Sequence, residues 1–229
     1  MKLEPLGDSA VVATLGSGID PATLASVLRC AEAVAAARGK GIVDVVPAYS
    51  TVTVFYDPAQ FSPSAGDAFD QVCRFVSSCA ARERGRAREA TGRTVDIPVC
   101  YGGDLGPDLG LVAERAGMEE AAAAALHCGA DYLVYAIGFA PGFPYLGGLP
   151  AALHTPRRDT PRSRVAAGSV GIAGGQTGVY PLESPGGWQI VGRTPLALFS
   201  AARKPAALLV PGDRVRFREI SKAEFDSWK

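Results

Sequence analysis

The segment Pro156-Arg157-Arg158-Asp159-Thr160-Pro161-Arg162-Ser163-Arg164 places four arginines within eight positions and punctuates them with two prolines. Proline fixes φ and bars a regular helix, so the segment reads as an extended arm that holds its guanidinium groups in place. A guanidinium presents planar donors matched to carboxylate or phosphate, and a single acid, Asp159, lies within the arm to neutralise them. Arg157, Arg158, Arg162 and Arg164 are therefore candidate anion-binding residues. The plain alternative is an exposed cationic loop.

Two further blocks flank the arm. Gly168 to Gln189 interleaves glycines with Gln176, Tyr180, Glu183, Trp188 and Gln189. Glycine at this density lets backbone N–H groups converge on an anion, with Gly174 and Gly175 as the candidate nest, and a glutamine amide both donates to and accepts from an amide substrate. Gln176 and Tyr180 are expected to be catalytic; Glu183 and Gln189 join the substrate-binding set. Turns and bulges of a barrel need glycine in any case. Upstream, Gly138-Phe139-Ala140-Pro141-Gly142-Phe143-Pro144-Tyr145 reads as a proline-stiffened aromatic turn. Phe139, Phe143, Tyr145 and Trp188 then form either the platform of a ligand cleft or simple packing. His127 ends an apolar, alanine-rich stretch just before a strand. It is expected to border the cleft and relay protons near neutral pH, a buried structural histidine being the other reading.

Absent signatures narrow the chemistry. There is no Gly-x-x-x-x-Gly-Lys-Ser/Thr phosphate loop. The two histidines, His127 and His154, have no metal-ligand spacing, so no metal site is expected. Ser169 misses a nucleophile elbow by one glycine. The five cysteines are odd in number and contain no Cys-x-x-Cys, which encodes neither a disulfide framework nor a zinc knuckle.

The elements that must position these residues fall into two parts. In the first 90 residues, Val11 to Leu15 reads as a strand. Asp20-Pro21 caps a helix whose Leu24, Val27, Leu28 and Ala31 share a face and which closes at Arg38-Gly39. Ile42 to Val46 and Thr51 to Tyr56 form a hairpin, and a second helix starts near Ser64. With Thr94 to Val99 as a returning strand, the order is β-α-β-β-α-β, a small α+β layer domain. The charged run Arg82 to Glu89 reads as a solvated helix end or linker, which sets the domains at 1–90 and 91–229. Beyond it, Asp108 to Ala116 and Glu119 to Leu126 are helical and Asp131 to Ile137 is a strand. Residues 136–195 are rich in glycine and proline yet studded with aromatic and β-branched residues, the pattern of a small barrel of short strands. Leu208 to Val210 and Arg214 to Phe217 are expected to close it as a hairpin.

The 229 residues are 48% hydrophobic, and 23 Lys+Arg balance 23 Asp+Glu, so neither nucleic acid nor another polyanion is an expected partner. No stretch is long and apolar enough to span a membrane. Met1-Lys2-Leu3-Glu4-Pro5 has no apolar run of a signal peptide, and the expected location is cytoplasmic.

The blocks Gly138 to Leu146, Thr155 to Arg158, Pro161-Arg162, Gly168 to Gly178, Tyr180-Pro181 and Ser184 to Trp188, with Tyr101-Gly102-Gly103 and Leu126-His127, closely resemble the family of 5-oxoprolinase B subunits. That family is also known as the Kip-type histidine-kinase inhibitors and as subunit 1 of allophanate hydrolase-like carboxyltransferases. The resemblance implies a small N-terminal α+β domain followed by a cyclophilin-like β-barrel. It further implies two partners, the C and A subunits, which together with this chain open 5-oxoproline to glutamate at the cost of ATP; it leaves open which of them holds the ATP. The chain alone is then expected to be inactive. Two other readings stay open: an inhibitor that docks on a sensor histidine kinase, and a carboxyltransferase half-site acting on urea-like amides.

Overall fold

The computed structural model describes residues 1–37, 39–82 and 92–228. The charged run from Glu83 onward and the helix-closing Arg38 lie outside the described residues. Two compact units result, Met1–Thr91 and Gly92–Lys229.

In the first unit, strands β1 (Lys2–Pro5), β2 (Ala10–Thr14), β3 (Ile42–Ala48) and β4 (Thr51–Tyr56) form an antiparallel sheet of order β1-β2-β4-β3. Helix α1 (Pro21–Ala37) starts where Asp20 accepts from the Thr23 N–H at 2.6 Å, with proline at the first helical position. Leu24, Val27, Cys30, Ala31 and Val34 recur at helical spacing and are buried. Val11, Ala13, Val52, Val54 and Tyr56, on one face of the sheet, pack against α1 and helix α2 (Ala68–Arg82). Helix α2 begins after Asp67, whose carboxylate accepts from the Phe69 N–H, rather than near Ser64. The extra strand β1 was not evident because Lys2-Leu3-Glu4-Pro5 is a short, polar edge.

Thr94–Tyr101 is β5, but it belongs to the second unit, so the returning strand expected in the N-terminal domain is a barrel strand instead. The barrel closes in the order β10-β7-β6-β13-β5-β12-β9, where β6 is Asp131–Ile137, β7 Pro144–Gly147, β9 Ser169–Ala173, β10 Gln176–Val179, β12 Gln189–Arg193 and β13 Arg214–Glu219. Strand β13 runs parallel to β5 and antiparallel to β6. Both its edges are thereby filled, and the closing hairpin with Leu208 to Val210 does not form; Leu208 instead donates its N–H to the Leu198 carbonyl. Helices α3 (Leu109–Ala116) and α4 (Glu120–Cys128) pack on the barrel, and α3 stops at Gly117 in the left-handed conformation. Strands β8 (Arg162–Val165) and β11 (Ser184–Gly186) pair as a separate two-stranded ribbon, and α5 (Lys222–Ser227) follows a capping box at Ser221 and Glu224. Inward-facing Ile97, Val99, Val134, Leu146, Val170, Ile172, Val179, Val191, Val215 and Phe217 fill the barrel.

Candidate functional site

The turn between β6 and β7 is closed by backbone bonds from Gly138 N–H to Phe143 C=O and from Phe143 N–H to Ala140 C=O. It buries Phe143 and leaves Phe139 65% exposed at φ 68°. Phe143 is the hub of an aromatic cluster in which the rings of Tyr145, Tyr180 and Trp188 stand roughly edge-on to it at 5.0, 5.2 and 5.4 Å. Two glycines make this possible. A Cβ on Gly178 would lie 2.9 Å from the Phe143 ring, and one on Gly186 would lie 2.3 Å from the Tyr180 hydroxyl. The aromatic rings form one wall of a cleft of about 280 Å³, whose other wall is Arg157, Arg158, Pro161 and the segment Pro185 to Gly187.

The arginine arm splits into members with different partners. Arg158 and Arg162 both donate to the Asp108 carboxylate Oδ1, at 3.2 and 2.8 Å. The other carboxylate oxygen accepts from the Ile190 N–H at 2.7 Å, and Asp108 is 5% exposed. Arg164 makes a two-pronged pair with Glu183 at 3.0 and 2.9 Å on the exposed ribbon β8–β11, away from the residues lining the cleft. Arg157 faces the cleft with no hydrogen bond or ion pair to another described residue.

Around this arm the polar groups are incompletely paired. Among the described residues, four buried side-chain polar atoms have no hydrogen-bond partner: Arg158 Nε, Arg162 Nη1, Ser184 Oγ and Gln189 Oε1. All four belong to the arm or to the segment that faces it. Gln189 spends its amide N–H on the Pro156 carbonyl at 3.0 Å, tying the arm to β12. Burial raises the Tyr180 phenol above its ordinary range, so its O–H stays protonated.

His127 corrects the expectation placed on it. It is 1% exposed inside the barrel, stacked on Phe217 at 4.7 Å, and does not line the cleft. Thr177 donates its hydroxyl proton to the Gly171 carbonyl, so its oxygen receives the His127 Nε2–H at 3.0 Å. The Tyr101 O–H is then left to donate to Nδ1 at 2.8 Å. Both ring nitrogens are occupied in the neutral form, and burial pushes the pKa down to about 3, so the imidazole is neutral near pH 7.

Gly174, Gly175 and Gln176 also sit outside the cleft lining. Gly174 and Gly175 make the two-residue turn between β9 and β10, with Gln176 opposite Ala173. The Gly174 N–H is spent on the Thr155 carbonyl and is not open to an anion, and a side chain on Gly175 would meet the His154 ring. Of the anticipated residues, then, the structure gathers Phe139, Phe143, Tyr145, Arg157, Arg158, Tyr180 and Trp188 at one cleft, with Arg162 and Gln189 behind it. Asp108 was read from sequence only as a helix start. The charge balance of 136–195, five arginines against two acids, signals that a carboxylate from elsewhere must enter, but not which one. Among the described residues, no group of His, Cys, Asp and Glu is arranged to hold a metal.

Residues 1–209 match the family described as carboxyltransferase domain, subdomain C and D. The chain is 40% identical to the 5-oxoprolinase B subunit of Bacillus subtilis (strain 168), covering 100% of this chain and 96% of that protein. It is 44% identical to the 5-oxoprolinase B subunit of Escherichia coli O157:H7, covering 93% of each. Among solved structures, TTHA0988 matches with a TM-score of 0.78 at 40% identity over 93% of this chain, which spans only 40% of that longer protein. The Kluyveromyces lactis urea amidolyase shares the fold, with a TM-score of 0.76 at 18% identity over 98% of this chain and 15% of its own.

Proposed function

The chain belongs to the carboxyltransferase-domain family, among its 5-oxoprolinase B subunits, and from that premise we propose that it works as the B subunit of a 5-oxoprolinase. The observation that carries this reading is likeness to those proteins along nearly the whole chain. The reaction is hydrolysis of a lactam: the ring C–N bond breaks, a water oxygen bonds to the carbonyl carbon, and glutamate results, driven by ATP in the complex.

The cleft supports this assignment through what it offers and what it lacks. Aromatic edges around Phe143 and Tyr180 accommodate a flat ring and exclude water from it. The Arg158 guanidinium, which lines the cleft with its Nε unpaired, and the Tyr180 phenol beside it stabilise a carbonyl oxygen that gains charge as the amide is attacked. There is no nucleophile with an adjacent base in the cleft, and this chain therefore positions the substrate rather than attacking it. ATP fits poorly here. A triphosphate needs several free cationic donors, and Arg158 and Arg162 are committed to Asp108. We place the nucleotide on a partner protein. The partners are homologues of the A and C subunits.

The test is reconstitution of the chain with its A and C homologues and measurement of ATP-dependent glutamate release from 5-oxoproline. Glutamate is expected only from the full set. Release by this chain alone would overturn the need for partners, and none from the full set would overturn the function.

A further inference from the structure

Four arginines enter the arm, and the structure leaves one of them uncommitted. Asp108 holds Arg158 and Arg162, and Glu183 holds Arg164. Asp159, the one acid within the arm, is exposed and makes no ion pair with any of the arginines. Of the four, Arg157 alone faces the aromatic cleft without a hydrogen bond or ion pair to another described residue. The Asp108 cluster also carries net charge: two guanidiniums against one carboxylate leave an excess of one positive charge behind the same wall, with Arg158 Nε and Arg162 Nη1 unpaired. The nearest phenol, Tyr180, is held protonated by burial and adds no negative charge. A cleft with this balance favours an anionic ligand over a neutral one of the same shape.

We propose that Arg157 is the specificity-determining residue of the cleft, reading a carboxylate on a small flat amide, and that Asp108 is the positioning residue that takes Arg158 and Arg162 out of that role. The inference rests on the proposed function for the identity of the amide, and it selects acidic lactams over neutral, urea-like amides. Arg157 is exposed and supports no packed neighbour by hydrogen bonding, so its substitution leaves the fold intact. A planar guanidinium engages a carboxylate through two parallel bonds, which an ammonium cannot reproduce.

The test compares 5-oxoproline with its neutral carboxamide, 5-oxoprolinamide, in ligand-observed NMR titrations of the assembled complex, together with steady-state turnover of 5-oxoproline. The parental complex is expected to prefer the carboxylate at least about tenfold. Arg157→Met is expected to erase that preference by weakening the carboxylate about ten- to a hundredfold, leaving carboxamide binding unchanged, and to raise KM with kcat nearly constant. Arg157→Lys should recover only part of the loss, and Arg164→Met should behave as the parent. A preference that survives Arg157→Met, or a parental complex without one, overturns the inference. A parental complex that prefers the carboxylate yet releases no glutamate upholds the inference and refutes the proposed function.

Discussion

The barrel interior and the cleft both set polar side chains among aromatic rings, and they treat those groups in opposite ways. Inside the barrel, His127 is stacked on Phe217, and each ring nitrogen has one partner in a chain that runs from Tyr101 through the imidazole to Thr177 and the Gly171 carbonyl. Nothing is left over for a ligand. At the cleft and just behind it, Arg158, Arg162, Ser184 and Gln189 each keep a buried polar atom without a partner among the described residues, and Arg157 has none either. An unpaired buried donor or acceptor costs about 1–3 kcal/mol, so several in one place call for a partner from outside the chain, a water or a ligand. The difference teaches that a histidine among aromatics marks stability here, while an arginine without a carboxylate marks function.

The largest expected effect tests the barrel half of that contrast. His127→Ala removes a fully buried ring and strands the Tyr101 hydroxyl, so unfolding free energy should fall by about 3–5 kcal/mol. Urea denaturation of the purified chain measures it. A loss under about 1 kcal/mol would mean that the network is slack and the comparison is wrong. At temperatures where the variant stays folded, KM for 5-oxoproline in the assembled complex should not move.

An effect spread over several pH units, and therefore smaller at any one step in pH, comes from the same residue. Native His127 titrates at about 3, whereas the unfolded chain returns it to its ordinary value of about 6.5. Between those values the unfolded state binds a proton that the native state refuses. The stabilisation is therefore complete above about pH 6.5 and is lost as pH falls, at about 1.4 kcal/mol per pH unit. His127→Gln should flatten this acid limb of the stability curve. The pH profile of turnover between 6 and 8 should be the same in parent and variant, because the imidazole is neutral throughout.

How much of this was legible in the residues follows the range of the interactions involved. Helix α1 was readable because its cap and its buried stripe are local. The barrel character of 136–195 was readable because aromatic and β-branched residues among prolines and glycines leave few other packed solutions. The aromatic cleft wall followed from the same block. The partners of Arg158 and Arg162 were not readable, since Asp108 lies 50 and 54 residues away and meets them only when the barrel closes. The same holds for β13, whose neighbours β5 and β6 are far apart in sequence, so a local hairpin was the natural but mistaken expectation. His127 misled because residue type announces titration, whereas burial and two hydrogen bonds decide whether titration occurs. The glycines at 174 and 175 misled for a related reason: a two-residue hairpin turn and an anion nest ask for the same residue.

The smallest expected effect on stability falls on Phe139, where the cleft half of the comparison can be sharpened. A phenylalanine at φ 68° occupies the left-handed region that side chains with a Cβ avoid, at a cost of about 1–2 kcal/mol. Its ring is largely exposed and touches Phe143 and Tyr180 only edge-on, at 5.5 and 6.4 Å. Phe139→Gly relieves the strained backbone but frees the unfolded chain, for which glycine costs about 0.5–1 kcal/mol. It also forfeits the small burial of the ring. These terms nearly cancel, and unfolding free energy should change by less than about 1 kcal/mol. Phe139→Ala keeps the strain and loses the ring, so it should be the less stable of the two, and the gap between them reports the backbone strain directly. Turnover should behave differently: both variants open the rim of the cleft to water and should raise KM for 5-oxoproline together. Equal stability of the two variants would show that the turn relaxes without strain. An unchanged KM in both would show that Phe139 is not part of the wall that the substrate meets, and the cleft would then end at Phe143.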